Sequence, residues 1–193
     1  MTTLAVVKKK GQIAIAADTL TKWGTTKESA VYVANHEKIF RVGDTYIAIT
    51  GTTTFKLILQ DYFAGLETPP PFDSVPSIFR TWQELHAAMK ERYFLNATED
   101  KEDDLETSRI HVLLANPHGI FGVGAHRTVQ EFSKFYCYGA GSEYATGALF
   151  AAYDNPKLEA EALARLAIEC AIEFDDSTGG PITSYSLKEA RKK

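Results

Sequence analysis

The sequence predicts an α+β fold in which antiparallel sheets carry segregated layers of helices. Three observations lead there. Short strands and helices come in blocks, in the order strands, two helices, strands, two helices, strand. The hydrophobic period changes from strand-like to helical just after Gly51. No stretch alternates one strand with one helix, as parallel βαβ units require.

The first strand pair is legible in Leu4-Ala5-Val6-Val7 and Ile13-Ala14-Ile15-Ala16-Ala17, small and β-branched residues joined by a charged turn ending at Gly11. A second pair, Lys38 to Val42 and Thr45 to Ile49, is joined by Gly43-Asp44, a tight hairpin signal. Phe55, Ile58, Leu59, Tyr62 and Phe63 then recur at helical spacing, with Thr52 to Thr54 offering an N-cap. Pro69-Pro70-Pro71 ends that helix, and Ile78, Trp82, Leu85 and Met89 mark a second. The acidic run from Asn96 to Thr107 reads as an exposed, mobile loop. Strands resume at Ile110 to Leu114, turn at Asn116-Pro117-His118-Gly119, and return as Ile120 to Val123. A third strand ends at Phe135 to Tyr138. Two helices follow, Ser142 to Tyr153 and Pro156 to Phe174, then a strand from Pro181 to Leu187 and a basic tail.

Composition narrows the function. A chain of 193 residues suits one core, so a single domain over 1-193 is expected. With 25 acidic and 21 basic residues the net charge is -4, which offers no basic footprint for nucleic acid. No apolar stretch approaches the ~20 residues that span a bilayer. Met1 to Val7 runs straight into Lys8-Lys9-Lys10, the reverse of a secretory signal's charge order, so a cytoplasmic protein is expected. Cys137 and Cys170 each sit in apolar company and read as reduced, buried thiols. The five histidines show no metal-ligand spacing, and neither a metal nor a cofactor is expected.

Chemistry enters at the second residue. A threonine hydroxyl is a poor nucleophile unless a base takes its proton, and the α-amine of the same residue can be that base. A free α-amine has a pKa of about 7.7–8.0, close to working pH. With Met1 attached that nitrogen is an amide, so Thr2 acquires this chemistry only once Met1 is removed. Thr in second position is common, and alone it is an ordinary strand residue.

Other segments agree with it. Thr2-Thr3-Leu4-Ala5-Val6, followed by Gly11 to Asp18, resembles the opening of proteasome β-subunits and of the bacterial HslV peptidase. In that family the catalytic aspartate lies sixteen residues after the threonine, where Asp18 stands relative to Thr2. Lys38-Ile39-Phe40-Arg41-Val42 matches the strand start that carries the catalytic lysine, and Gly51 follows the next strand, where the family's oxyanion-hole glycine lies. The resemblance implies that Lys38 is a cation beside Thr2, held by Asp18, and that Gly51 donates its N–H to the oxyanion. Asp175-Asp176-Ser177-Thr178-Gly179-Gly180 is similar to the family's Asp-x-x-Ser-Gly-Gly, which implies that Asp175 and Thr178 orient the α-amine of Thr2. By position Thr21, Ile49 and Thr53 fall where the family lines its first specificity pocket, with Ile49 as the floor. Tyr138-Gly139-Ala140-Gly141-Ser142 resembles the Gly-Ser-Gly segment, with Ala140 where many members have an assisting serine and Ser142 close by.

Gly139-Ala140-Gly141 between a strand and a helix also invites a dinucleotide-binding reading. That fingerprint wants Gly or Ala three residues after the second glycine, where Tyr144 stands, and the setting is not βαβ. The resemblance runs from Thr2 to the last strand, and the compact opening on Met-Thr-Thr is most similar to the betaproteobacterial proteasome homologues. It implies a four-layer αββα sandwich of the N-terminal-nucleophile hydrolase type and a homo-oligomeric double ring. It further implies unfolded protein or peptide as substrate and an ATP-dependent unfoldase as a partner. Two alternatives stay open: an inert ring subunit, which Ala140 keeps alive, and an N-terminal-nucleophile amidase acting on a small molecule. A binding module has little beyond the Gly139–Gly141 loop in its favour.

Overall fold

The computed structural model describes residues 2–97 and 104–190. Met1, the middle of the acidic run (98–103) and the basic tail at 191–193 therefore lie outside the described residues.

β1 (Thr3–Lys9) and β2 (Gln12–Ala17) form the predicted hairpin. Lys10 and Gly11, at φ of 50° and 72°, make its two-residue turn, whose twist requires left-handed backbone at both positions. A small hairpin follows, β3 (Thr21–Trp23) with β4 (Thr26–Glu28). β5 (Ile39–Val42) and β6 (Thr45–Ile49) pair across Gly43-Asp44 as expected. α1 (Thr53–Ala64) starts at the N-cap residue Thr52, and α2 (Val75–Arg92) starts after Ser74 with Pro76 in its first turn. β7 (Val112–Asn116), β8 (Gly119–Val123) and β9 (Val129–Phe132) come next. β10 (Phe135–Gly139), α3 (Ser142–Ala152), α4 (Ala160–Phe174) and β11 (Thr183–Lys188) complete the chain.

Two antiparallel sheets result, ordered β10-β1-β2-β11 and β5-β6-β7-β8-β9. They stack face to face, with α3 and α4 outside the first and α1 and α2 outside the second, which is the αββα sandwich that the resemblance implied. Strand alternation builds the layers. Leu4, Val6, Ile13 and Ile15 point into the gap between the sheets, where they meet Ala48, Leu113 and Ile120. On the opposite face Ala5, Ala14 and Ala16 meet Ala164, Ala167 and Ala171, so α4 lies close to its sheet on a surface of small side chains. The third layer is aromatic, with Phe63 and Phe72 edge-on at 5.7 Å and Trp82 against Phe72 at 5.8 Å. Each buried branched or aromatic side chain contributes about 1.5–3 kcal/mol, so layer burial rather than helix propensity holds the helices.

Several expectations need correction. The expected third strand is two: β9 closes the five-stranded sheet, and β10, which carries Phe135 to Tyr138, pairs with β1 in the other sheet. The last long helix begins at Ala160 rather than Pro156. Asn96 and Asp104 to Glu106 are exposed loop, as expected, but Ala97 and Thr107 within the run are buried, and the Thr107 N–H donates to the Ala97 carbonyl at 3.0 Å. Cys170 is half-buried, whereas Cys137 is buried and desolvation pushes its thiol up to about 12, an inert group. Among the described residues no helix is long and apolar enough to cross a membrane, and no group of three His, Cys, Asp or Glu could hold a metal ion.

Candidate active site

The site lies where the start of β1 and the end of β10 share a cleft with the start of α1. Thr2 and Thr3 enter β1 beside the end of β10, and Thr3 pairs with Gly139. The pairing is close: the Ala140 N–H donates to the Thr2 carbonyl at 2.8 Å, and a Cβ on Gly139 would come within 1.8 Å of that oxygen. With φ at 106° as well, only glycine fits at 139. The segment that mimics a nucleotide loop is therefore a backbone socket for the N-terminal residues.

Asp18 follows the last residue of β2 and is fully buried. Its Oδ1 accepts the Thr3 N–H at 2.9 Å and Lys38 Nζ at 2.7 Å. Its Oδ2 accepts the N–H groups of Leu20 and Gly179, both at 3.2 Å. Four donors converge on one carboxylate, which satisfies a buried charge that would otherwise be very unfavourable. Lys38 also donates to the Leu20 carbonyl at 2.7 Å, and its side chain is only 11% exposed. Burial lowers its pKa below the ordinary lysine value. Asp18 opposes that shift through charge and hydrogen bonding, and the Lys56 ammonium reinforces it.

Thr2, Lys38 and Gly51 line one cleft of about 930 Å³. Gly51 sits at φ 103°, and a Cβ there would press on Phe55 at 3.2 Å and Ile110 at 3.3 Å. Gly51 is exposed and lines the cleft with backbone alone. Thr21, Ile49 and Thr53 line the same cleft, as do Ala140 and the cations Lys22, Lys56 and Arg109. Ser142 opens α3 and is not among the lining residues.

Asp175 and Thr178 reach the N-terminus through Thr3. Thr178 Oγ1 donates to Asp175 Oδ2, and its only hydroxyl proton is thereby used. The 2.6 Å contact between the Thr3 and Thr178 hydroxyls therefore has Thr3 as donor, while Thr3 Oγ1 accepts the Gly141 N–H at 3.0 Å. Gly141 must also be glycine, because a Cβ would lie 2.7 Å from the Ala171 Cβ and 2.8 Å from Thr3 Oγ1. Thr3, fully buried, is the anchoring residue that the sequence reading left out. A polar residue opening the apolar run Leu4 to Val7 is the available signal. The arrangement gathers the Thr2 side chain, the Lys38 cation and an exposed glycine backbone along one cleft.

No protein-family model and no curated protein matches this chain. Solved structures do. The bacterial proteasome homologue (BPH) of Thiobacillus denitrificans is 62% identical, with a TM-score of 0.94 over 98% of this chain and 100% of that one. The same protein in complex with epoxomicin matches at 62% identity and a TM-score of 0.92, over 97% of this chain and 99% of that one. HslV from Trypanosoma brucei shares the fold alone, at 17% identity and a TM-score of 0.68 over 97% of this chain and 99% of that one. With a sandwich of this type and that identity over nearly its whole length, the chain belongs to the family of bacterial proteasome homologues and is a proteasome-type subunit.

Proposed function

We propose that the chain is a threonine-type endopeptidase subunit that hydrolyses peptide bonds of unfolded proteins inside a homo-oligomeric double ring. The observation that carries this reading is one cleft holding Thr2, Lys38 and Gly51, with Asp18 beneath it bonded to both Lys38 and Thr3. Once Met1 is removed, Thr2 Oγ attacks the scissile carbonyl carbon and its proton passes to the Thr2 α-amine. The carbonyl oxygen becomes an oxyanion that accepts from the Gly51 N–H. Collapse of this intermediate expels the amine half of the substrate, which takes the proton, and leaves an acyl ester on Thr2. Water, deprotonated by the same α-amine, then hydrolyses the ester. Lys38 stabilises the negative charge, Asp18 holds Lys38, and Asp175 with Thr178 fixes the backbone through Thr3. No cofactor takes part.

An irreversible threonine-directed inhibitor is expected to label this chain once, on Thr2, with Met1 already absent from the intact mass. Peptide mapping with no adduct on Thr2 would contradict the reading and leave the inert-subunit alternative, which Ala140 favours. Epoxomicin, bound in the Thiobacillus denitrificans structure, is expected to compete with that labelling.

Thr21, Ile49 and Thr53 form the first specificity pocket in this reading, with the branched apolar Ile49 as its floor. These residues offer no buried partner to a charged side chain, which would lose its hydration uncompensated. Fluorogenic peptides ending in Leu, Ala or Tyr are expected to be cut faster than those ending in Arg or Glu. Arg should be slowest, because the cations Lys22, Lys56 and Arg109 outnumber the carboxylate of Glu28 on the same wall. A clear preference for Arg or Glu would refute the pocket assignment. Differences within the apolar set should be small, about 1–3 kcal/mol per methylene.

Assembly has a surface to rest on. Tyr144, Phe150 and Phe174 on α3 and α4 are 46%, 83% and 65% exposed, much apolar area for an isolated chain. Closed, stacked rings would cover it and would admit only unfolded chains, delivered by an ATP-dependent unfoldase. Light scattering is expected to give a multi-subunit particle at micromolar concentration; a stable monomer would contradict the ring.

A further inference from the structure

Lys56 has no part in the mechanism above, yet it is a cation only 7% exposed in the cleft that holds Thr2 and Lys38. It lies in the first turn of α1, at the positive end of the helix dipole, and that turn carries no acidic residue. Its Nζ bonds to two backbone carbonyls, Asn35 at 2.6 Å and Glu37 at 2.8 Å. Burial lowers its pKa and the Glu37 carboxylate opposes the shift. Burying a lysine in such a place is costly, and these two bonds offset that cost.

What they hold is the stretch immediately before Lys38. Residues 36–38 belong to no strand, so no ladder fixes them until β5 begins at Ile39. The stretch is tied on its other flank as well, where the Tyr185 hydroxyl of β11 donates to Glu37 Oε2 at 3.2 Å.

We propose that Lys56 is a positioning residue for the peptidase centre, clamping the Asn35 and Glu37 carbonyls to the start of α1 so that Lys38 is presented to Thr2. This rests on the peptidase reading. The charge of Lys56 has a second effect, since it adds to the burial that lowers the proton affinity of Lys38. The charged groups bearing on Lys38 are Asp18 from the end of β2 and Lys56 from α1, which itself faces the Glu37 carboxylate. Lys22, Glu28, His36 and Arg109 stand further along the same cleft wall.

The test uses the full assembled chain as native protein and as Lys56→Met, Lys56→Gln and Lys56→Arg. Two quantities are read: kcat and KM on a peptide that the native protein cleaves, and the pH at which Lys38 becomes reactive toward acetic anhydride, mapped by mass spectrometry. Lys56→Met is expected to lower kcat by about tenfold or more with KM within about twofold. Lys38 should also acylate about threefold less at a fixed pH below its titration point, since loss of the neighbouring cation raises its proton affinity. Lys56→Gln, which still donates to carbonyls, should show the same Lys38 shift with a smaller loss of kcat, and it carries the test if Lys56→Met does not fold. Lys56→Arg, which keeps the cation but not the lysine's bond geometry, should restore the Lys38 titration and recover turnover only in part. A folded Met or Gln variant with unshifted Lys38 reactivity, or with turnover within about twofold of native, overturns the proposal. The labelling arm needs no turnover. If the native protein proves inert, the peptidase reading fails, while unshifted Lys38 reactivity still overturns the positioning role.

Discussion

Purified Thr2→Ala protein is expected to show no amide hydrolysis above background, a loss of about 10⁴-fold or more, while assembling as the native chain does. In the proposed mechanism a single hydroxyl forms the only covalent bond to substrate, so nothing else in the cleft can replace it. Assembly should survive for a local reason. Thr2 is held by its backbone, through the Ala140 N–H on its carbonyl, and its side chain faces the cleft rather than a packed layer. The substitution removes one hydroxyl and one methyl from that face and breaks no buried bond. Thr2→Ser, which keeps the hydroxyl, should retain measurable turnover. Peptidase activity in a Thr2→Ala preparation freed of host proteases would end the mechanism. Loss of folding would instead point to a structural role for Thr2.

Lys38 gives the second large effect. Lys38→Ala removes the cation beside Thr2 and leaves Asp18 buried with only its three backbone donors. Turnover should fall by roughly 10²–10³-fold or more. Stability should fall too, by about 3–5 kcal/mol, since one partner of a buried ion pair is lost. Lys38→Arg should also fail. The ammonium is placed by bonds to Asp18 Oδ1 and the Leu20 carbonyl, both at 2.7 Å, and a planar guanidinium cannot reproduce both from the same stem. Near-normal turnover in Lys38→Arg would show that Lys38 does not act beside Thr2. The native enzyme should carry a matching pH signature. Activity should rise as the α-amine of Thr2 loses its proton near ~8, and fall as Lys38 loses its own at a pH below the ordinary lysine value of 10.5. The stability term has the opposite sign. Between the lowered folded pKa and 10.5 the unfolded chain binds more protons at Lys38 than the folded one, so this residue's contribution to stability improves as pH rises. An alkaline loss of turnover without a matching loss of melting temperature would therefore report Lys38 itself.

Much of this molecule is legible before folding because its signals are short in range. Alternation in Leu4 to Val7 and Ile13 to Ala17 assigns one set of side chains to the gap between the sheets and the other to α4. Gly11 and the Gly43-Asp44 pair mark turns through their own backbone freedom. The family resemblance singles out Thr2, Asp18, Lys38 and Gly51 along the sequence, and each flanks the end of a strand that brings it to one site.

The rest depends on groups that meet only when distant segments close on each other. Asp175 and Thr178 are readable as a motif, but that they act on Thr3 follows from a hydroxyl contact spanning 175 positions. The apparent nucleotide loop at Gly139 to Gly141 acquires its meaning from the Thr2 carbonyl and the Thr3 hydroxyl, which leave no room for a side chain. β9 and β10 look continuous in sequence yet belong to different sheets. The inner faces of both sheets are equally apolar, so only packing decides which edge each strand completes. Nothing along the sequence singles out Lys56 until α1 docks beside residues 35–37 and buries it. Local pattern specifies which residues can form elements and carry charge; burial and hydrogen bonding across the closed sandwich decide which of them share a site, because both depend on distance in space and not along the chain.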